Sequence, residues 1–182
     1  MLNRIIDGEI SLKPVEAQDS ESIFALTAAN RLYLRNWLPW VDSTKSVEDT
    51  RKFVEACMAQ CEQRAALHLC IRYRGEVAGI LGFHYFDWPN RSASIGYWLS
   101  EHLQGKGIMT RSCREAIEFA FNEMGLNRIE IRCAVQNVRS RAIPERMHFT
   151  NEGTVRDAEW LYDRFVDLII YGMLARQWPA GR

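Results

Sequence analysis

The sequence predicts an α+β fold: a mixed, mostly antiparallel central sheet flanked by helices, with one parallel strand pair. Three observations carry this. Runs of period-two alternation recur along the chain, and two of them, residues 67–73 and 77–86, are joined across Arg74 and Gly75 as a hairpin. A strand-like run at 93–100 passes through a glycine turn into an amphipathic helix and then into another alternating run at 128–136. Strand, helix, strand in that order is a crossover unit whose strands pair in parallel. No Pro- or Gly-rich break interrupts the 182 residues, so residues 1–182 are expected to form a single domain with a sizeable core.

Residues 9–15 alternate apolar and polar side chains as a first strand, which Pro14 places near an edge or an end. Asp19 precedes Ile23, Phe24, Ala25 and Leu26 as the cap of a helix. Residues 31–40 are apolar and aromatic without a clean period, either a packed connection or an aromatic wall facing a substrate. Ser46 and Asp49 form a capping box before Phe53, Val54, Cys57, Met58 and Cys61 at helical spacing. After the hairpin, residues 87–90 break the sheet before the strand at 93–100. From Ile108 to Met124 the apolar residues mark one helical face, and Gly125 stops it. A short helix through Arg146 and two strands, around 149–156 and 165–174, complete the fold. The intervening residues 156–164 mix charges and aromatics and read as a loop at the mouth of a cleft.

Lys plus Arg equal Asp plus Glu at 23 each, so no overall field favours nucleic acid or a membrane surface. Residues 1–7 lack the apolar core of a signal peptide and no stretch reaches membrane-spanning length, so the expected location is the cytoplasm. The five cysteines have irregular spacing and the four histidines are scattered, which argues against a disulfide framework and against a metal site. Cys57 and Cys61 share a helix face and read as core filling.

The stretch Gln104-Gly105-Lys106-Gly107-Ile108-Met109-Thr110 lies at the strand-to-helix junction. Its glycines permit positive φ and close backbone approach, and the helix start supplies unpaired N–H groups, so it reads as an anion cradle. The phosphate-loop pattern of nucleotide hydrolases is missing, Thr110 occupies the last glycine place of the dinucleotide fingerprint, and no serine-hydrolase elbow occurs.

Four segments then fall in a familiar order and spacing: Ile95-Gly96-Tyr97-Trp98-Leu99, Gln104-Gly105-Lys106-Gly107, Asn137 with Ser140, and Phe149 with Glu152-Gly153. On these the chain resembles the GNAT acetyltransferases, from about residue 9 to residue 176. It is most similar to the branch that acetylates the N-termini of ribosomal proteins, and His148-Phe149-Thr150 and Ala158-Glu159-Trp160-Leu161 look most like the enzyme acting on the N-terminal serine of the acidic stalk protein. Three departures stand out: Met109 where the cradle usually ends in a small residue, His148 where glycine usually precedes Phe149, and Ser94 where the strand often has Glu.

The resemblance implies acetyl-CoA as acetyl donor, with its pyrophosphate against the backbone from Gln104 through Gly105, Lys106, Gly107, Ile108 and Met109 to Thr110. Trp98, Leu99 and Ser100 would border the pantetheine in a splayed pair of parallel strands, 93–100 and 128–136. Asn137 would bond the pantetheine arm. In such enzymes the amine attacks the thioester directly, so Cys113 and Cys133 need no nucleophilic role. The Leu99 N–H, or that of a neighbour at a bulge, would polarise the carbonyl. Ser140 would protonate the leaving thiolate, although a serine beginning a helix also reads as an N-cap. Glu159 is the base candidate, a solvated turn carboxylate its alternative, with Asp157 and Glu101 in reserve. The implied acceptor is a protein N-terminus; a small amine or antibiotic, and a CoA-binding protein without turnover, are the alternatives. Arg31, Arg35, Trp37 and Trp40 could shape a groove for an acidic peptide. Exposed strand edges and aromatic content are compatible with a homodimer.

Overall fold

The computed structural model describes residues 3–179; Met1, Leu2 and residues 180–182 of the expected domain lie outside them. The described chain contains strands β1 (Arg4–Ile5), β2 (Ile10–Pro14), β3 (Leu67–Tyr73), β4 (Glu76–Asp87), β5 (Ser92–Leu99), β6 (Arg128–Ala134), β7 (Thr150–Leu161) and β8 (Arg164–Leu174). Its helices are α1 (Ser20–Ala29), α2 (Arg31–Leu34), α3 (Val47–Glu62), α4 (Ile108–Asn122) and α5 (Val138–Arg146). The strands form one sheet in the order β1-β2-β3-β4-β5-β6-β8-β7, antiparallel throughout except for the parallel pair β5–β6. This is the predicted α+β architecture.

Side-chain alternation sorts the sheet into two faces. Leu81, Phe83, Ile95 and Ile131 turn to one face, where α4 covers them with Cys113, Ala116, Ile117 and Ala120. Cys70, Ile80 and Trp98 turn to the other, where α1 and α3 supply Ile23, Val54 and Cys57. On β5 the division matters: Tyr97 and Leu99 pack with the α4 face, whereas Trp98 packs with the α1–α3 face.

The parallel pairing is short. It runs from Ser92 opposite Arg128 to Ile95 opposite Ile131 and stops. Beyond that point β5 stays on β4, as far as Leu99 opposite Gly79, while β6 stays on β8, as far as Ala134 opposite Leu168. The two strands therefore part into a wedge, the splay that the resemblance implied.

The Ser46–Asp49 capping box is present: Ser46 Oγ accepts the Asp49 N–H at 3.3 Å and Asp49 Oδ2 accepts the Ser46 N–H at 2.9 Å. Pro14 ends β2, at the end of a strand as expected, one strand in from the edge. Three expectations are corrected. Strand β1 adds an edge that two residues with no flanking period could not announce. Asp19 makes no side-chain cap on α1; it is fully buried, takes an Arg72 Nη2 hydrogen bond at 2.5 Å, and lies 3.6 Å from Lys13 Nζ. Residues 156–164 are not a loop: β7 runs on to Leu161 and turns at Tyr162 and Asp163 into β8, with a register shift between Val155 and Glu159 absorbing the irregular pattern.

Candidate active site

The glycine turn closes onto α4 with Gly105 at φ 76° and Gly107 at φ 72°. Gly107 is the N-cap of α4 and offers no side chain, so the first N–H groups of the helix face outward together with the positive end of its dipole. Met109 turns its side chain into the main core and stays buried there, which leaves the cradle to its backbone. The Lys106 ammonium stands over the Tyr73 ring, 5.8 Å from its centroid, and so also contributes backbone here. Gln104 is held from both sides, its amide nitrogen donating to the Tyr33 hydroxyl and its oxygen accepting from Arg139. Arg146 Nη1 donates to Thr110 Oγ1 at 3.2 Å. Two arginines of α5 thus stand beside the helix start, and a cation beside oriented N–H groups suits a multiply charged anion.

From the cradle the wedge runs down between β5 and β6. The Ser100 N–H donates to Ala78 O on β4 at 2.9 Å. Because successive amides alternate in direction along a strand, the N–H groups of Leu99 and Tyr97 point away from β4 into the wedge, whereas those of Trp98 and Ser100 do not. The register shift of the β4–β5 pair lies between Phe83 and Tyr85, away from Leu99. Ser100 does not line the cleft: its hydroxyl is fully buried, donates to Asn30 Oδ1 at 3.1 Å and lies 2.8 Å from His102 Nδ1. Trp98 borders the cleft with its indole, 6.1 Å from Trp40, and turns its amide to β4.

The far wall is α5. Asn137 caps it, Oδ1 accepting the Ser140 N–H at 3.2 Å. Ser140 is therefore the third residue of the helix and not its N-cap. Its hydroxyl lies 3.3 Å from Cys133 Sγ, and its carbonyl accepts the Tyr97 hydroxyl at 3.0 Å. Burial pushes the Cys133 thiol and the Tyr97 phenol above their ordinary pKa values, so both stay protonated near neutrality. Glu159 lies on β7 opposite Val166, half-buried and lining the same cleft, and burial raises its pKa above that of an ordinary carboxylate. Asp157 is exposed and does not line the cleft; Glu101 does. The whole cleft measures about 1550 Å³, with Trp37, Trp40 and Phe53 among its walls.

Residues 9–150 match the family model described as "Acetyltransferase (GNAT) domain". The chain belongs to the GNAT acetyltransferases. It is 34% identical over 178 residues, 97% of each chain, to YdaF of Bacillus subtilis, which is named as a candidate ribosomal N-acetyltransferase. Among solved structures it is similar to RimL, a ribosomal L7/L12 α-N-protein acetyltransferase in complex with coenzyme A, at 30% identity and a TM-score of 0.92, covering 94% of this chain and 97% of that one. It is likewise similar to the microcin C7 self-immunity acetyltransferase MccE in complex with acetyl-CoA and AMP, at 31% identity and a TM-score of 0.89, covering 93% and 94%.

As a GNAT acetyltransferase the chain shows why one departure from the family pattern is tolerated. His148 has φ 62°, its N–H donates to Glu145 O at 3.1 Å, and the next N–H, of Phe149, donates to Pro144 O at 3.0 Å. This is a left-handed helix terminator, a position that glycine fills without strain. Sequence reasoning did not single out Tyr97, Cys133, Arg139 and Arg146, which also line the cleft. Tyr97 could have been found from strand alternation, since it shares the Leu99 face; the arginines carry no signal until α5 is folded against α4. Among the described residues, no group of three or more His, Cys, Asp or Glu is placed to hold a metal ion, and no helix is long and apolar enough to cross a membrane.

Proposed function

We propose that this GNAT enzyme transfers the acetyl group of acetyl-CoA to the N-terminal α-amino group of a protein, with ribosomal proteins as the acceptor class. The observation that carries the reading is the wedge itself, which joins an anion cradle at one end to Ser140 and a half-buried carboxylate at the other. The pyrophosphate rests on the N–H groups from Gly105 to Thr110, with Arg139 and Arg146 beside it. Pantetheine lies along the unpaired edge of β5 as an added strand, bonded by inward N–H groups and by Asn137. The carbonyl oxygen takes the N–H of Leu99 or Tyr97, which stabilises negative charge as the amine attacks. Glu159 removes the ammonium proton, directly or through water. Ser140 gives a proton to the departing sulfur and is restored by the second proton that the nitrogen loses as the amide forms.

The choice of acceptor follows from proton affinity. An α-amino group has a reference pKa near 7.8 and lysine near 10.4, so deprotonating lysine costs about 3.5 kcal/mol more. A carboxylate whose pKa burial has raised is a better base than an ordinary carboxylate and is matched to the easier of the two. The names of YdaF and RimL support the same acceptor class. Likeness to MccE supports a second reading, a small-molecule amine as acceptor. Thiol release from acetyl-CoA, with the product located by mass spectrometry, separates them: peptides beginning with serine are expected to react, the same peptides with blocked N-termini are not. Reaction confined to small amines sinks the proposal.

A further inference from the structure

On the α1–α3 face of the wedge lies a recess whose residues take no part in acetyl transfer as proposed above. Gly82 on β4 and Gly96 on β5 are opposite one another in the sheet. Each is covered by a histidine ring instead of a side chain of its own. A Cβ on Gly82 would lie 2.7 Å from His68 Cδ2, and one on Gly96 would lie 2.1 Å from His84 Nε2. The two rings stand 6.1 Å apart, and Phe53 of α3 meets the His68 ring edge-on at 5.7 Å. Glycine at both positions is thus a requirement of the rings above them.

Polar capacity in this recess is unspent. His68 Nδ1 is enclosed with no hydrogen-bond partner, and so is the hydroxyl of Thr50, which is 3% exposed and one helical turn before Phe53. Both residues line the cleft. An enclosed polar atom without a partner costs free energy, so the two atoms form a polar backing behind the His84 ring, which is the one exposed to the cleft. Enclosure by protein lowers the pKa of both histidines, His68 to about 4, even though His84 is open to the cleft, so neither ring carries a charge near neutrality. Asp49, the carboxylate nearest along α3, already accepts the backbone N–H groups of Lys45 and Ser46. The recess therefore offers neutral ring nitrogens and aromatic faces, those of Phe53, Trp40 and Trp98, while the arginines that line the cleft stand on other elements, Arg111 on α4, Arg132 on β6 and Arg139 and Arg146 on α5.

Its position fixes what it could receive. Gly96 directly precedes Tyr97, whose N–H enters the wedge just past the last β5–β6 pair. Tyr97 and Ser140 lie on the α4–α5 side, where the leaving sulfur is placed, whereas Gly96 and Trp98 face the opposite side. An amine adds to the thioester carbon from above the plane of its carbonyl, and the recess over Gly96 opens on the face of β5 that Tyr97 and Ser140 leave free. We propose that His84, backed by His68 and Thr50, is the subsite that accepts hydrogen bonds from the incoming protonated amine and holds it over the wedge until Glu159 takes the proton. This rests on the acetyltransferase reading of the cleft but holds for any primary amine. Neutral nitrogens and π faces attract an ammonium, which an imidazolium would repel.

The test is calorimetric binding of two probes, a serine-initiated decapeptide and tyramine, to the coenzyme A complex of the full chain, which requires no turnover. His84→Phe is expected to weaken the bound probe at least tenfold while coenzyme A affinity stays within twofold, and His84→Gln to recover much of the loss. Thr50→Val, which keeps the helix and the volume, is expected to weaken it by a smaller factor. If tyramine binds and the peptide does not, the protein N-terminus reading fails and the histidine is judged on tyramine alone. Unchanged probe affinity in a folded His84→Phe enzyme, or no binding of either probe to the wild-type complex, overturns the subsite.

Discussion

The Tyr97 hydroxyl donates to the Ser140 carbonyl at 3.0 Å, the acceptor that a helical residue 144 would serve with its own amide were it not proline. One phenol thereby closes a gap in α5 and ties that helix to β5 across the wedge, on the turn that carries the Ser140 hydroxyl. Removing it by Tyr97→Phe leaves a partly enclosed carbonyl without a donor, at a cost of about 1–2 kcal/mol. Urea unfolding should show that loss, and acetyl transfer should fall with it. In Tyr97→Phe/Pro144→Ala the restored helical amide supplies the missing donor, so much of the stability returns. A double-mutant cycle with no coupling between the two positions would show that the phenol's bond to Ser140 is not what stabilises α5.

Asn137 and Ser140 can be separated because only one of them caps α5. Asn137→Ala removes the cap and is expected to cost about 1 kcal/mol of stability. Ser140→Ala leaves the cap intact, so its unfolding midpoint should stay near that of the wild type while single-turnover acetyl transfer falls about tenfold or more. Equal turnover in a folded Ser140→Ala enzyme would remove the hydroxyl from the mechanism.

Glu159 has its pKa raised by burial alone, so the ionised form is the disfavoured one in the folded protein. A base raised in this way becomes active at a higher pH than an ordinary carboxylate, and the acid limb of kcat/KM should be displaced upward accordingly. Glu159→Gln should lower the rate and erase that limb. It should also relieve a small destabilisation that sets in as pH rises past the ordinary carboxylate range, because the unfolded chain ionises there more readily than the folded one. A pH–rate profile unchanged in the Gln variant would assign the base to another group or to water.

His68 works in the opposite direction. Its folded pKa, lowered from 6.5 to about 4, means that the unfolded chain binds a proton over that interval and the folded chain does not. The contribution to stability is complete above pH 6.5 and is lost as pH falls toward 4, by at most about 3 kcal/mol. Urea midpoints measured across this window should decline, and His68→Gln should flatten the decline.

How far these elements can be read from the chain depends on range. Period, capping boxes and glycine turns are local, and they announce the hairpin, α3, α4 and the β5–α4–β6 crossover. The wedge is legible only through family likeness, because no period says where two strands stop pairing. Residues 156–164 mislead because a strand exposed on both faces carries no hydrophobic alternation, and β7 is exposed along almost its whole length. Ser140 reads as a cap because serine is a common one; three residues earlier, Asn137 is equally good, and only the folded chain shows which side chain reaches the amide. The histidine recess has no signal at all, since His68 and His84 meet across strands.

The helix terminator after α5 supplies a last test in which two effects oppose. His148 holds φ 62° with an exposed side chain, and a non-glycine residue in that region carries a strain of about 1–2 kcal/mol. Replacing it with glycine removes the strain but frees the unfolded chain, which returns about 0.5–1 kcal/mol to the unfolded side. Relief of strain outweighs the added freedom, and no hydrogen bond of the imidazole stands to be lost among the described residues. His148→Gly should therefore raise stability by about 0.5–1 kcal/mol in urea unfolding, with turnover unchanged because the terminator bonds are made by backbone. His148→Val, β-branched and unable to relax there, should instead destabilise. If glycine lowers stability, the imidazole contributes something that its exposed position does not reveal.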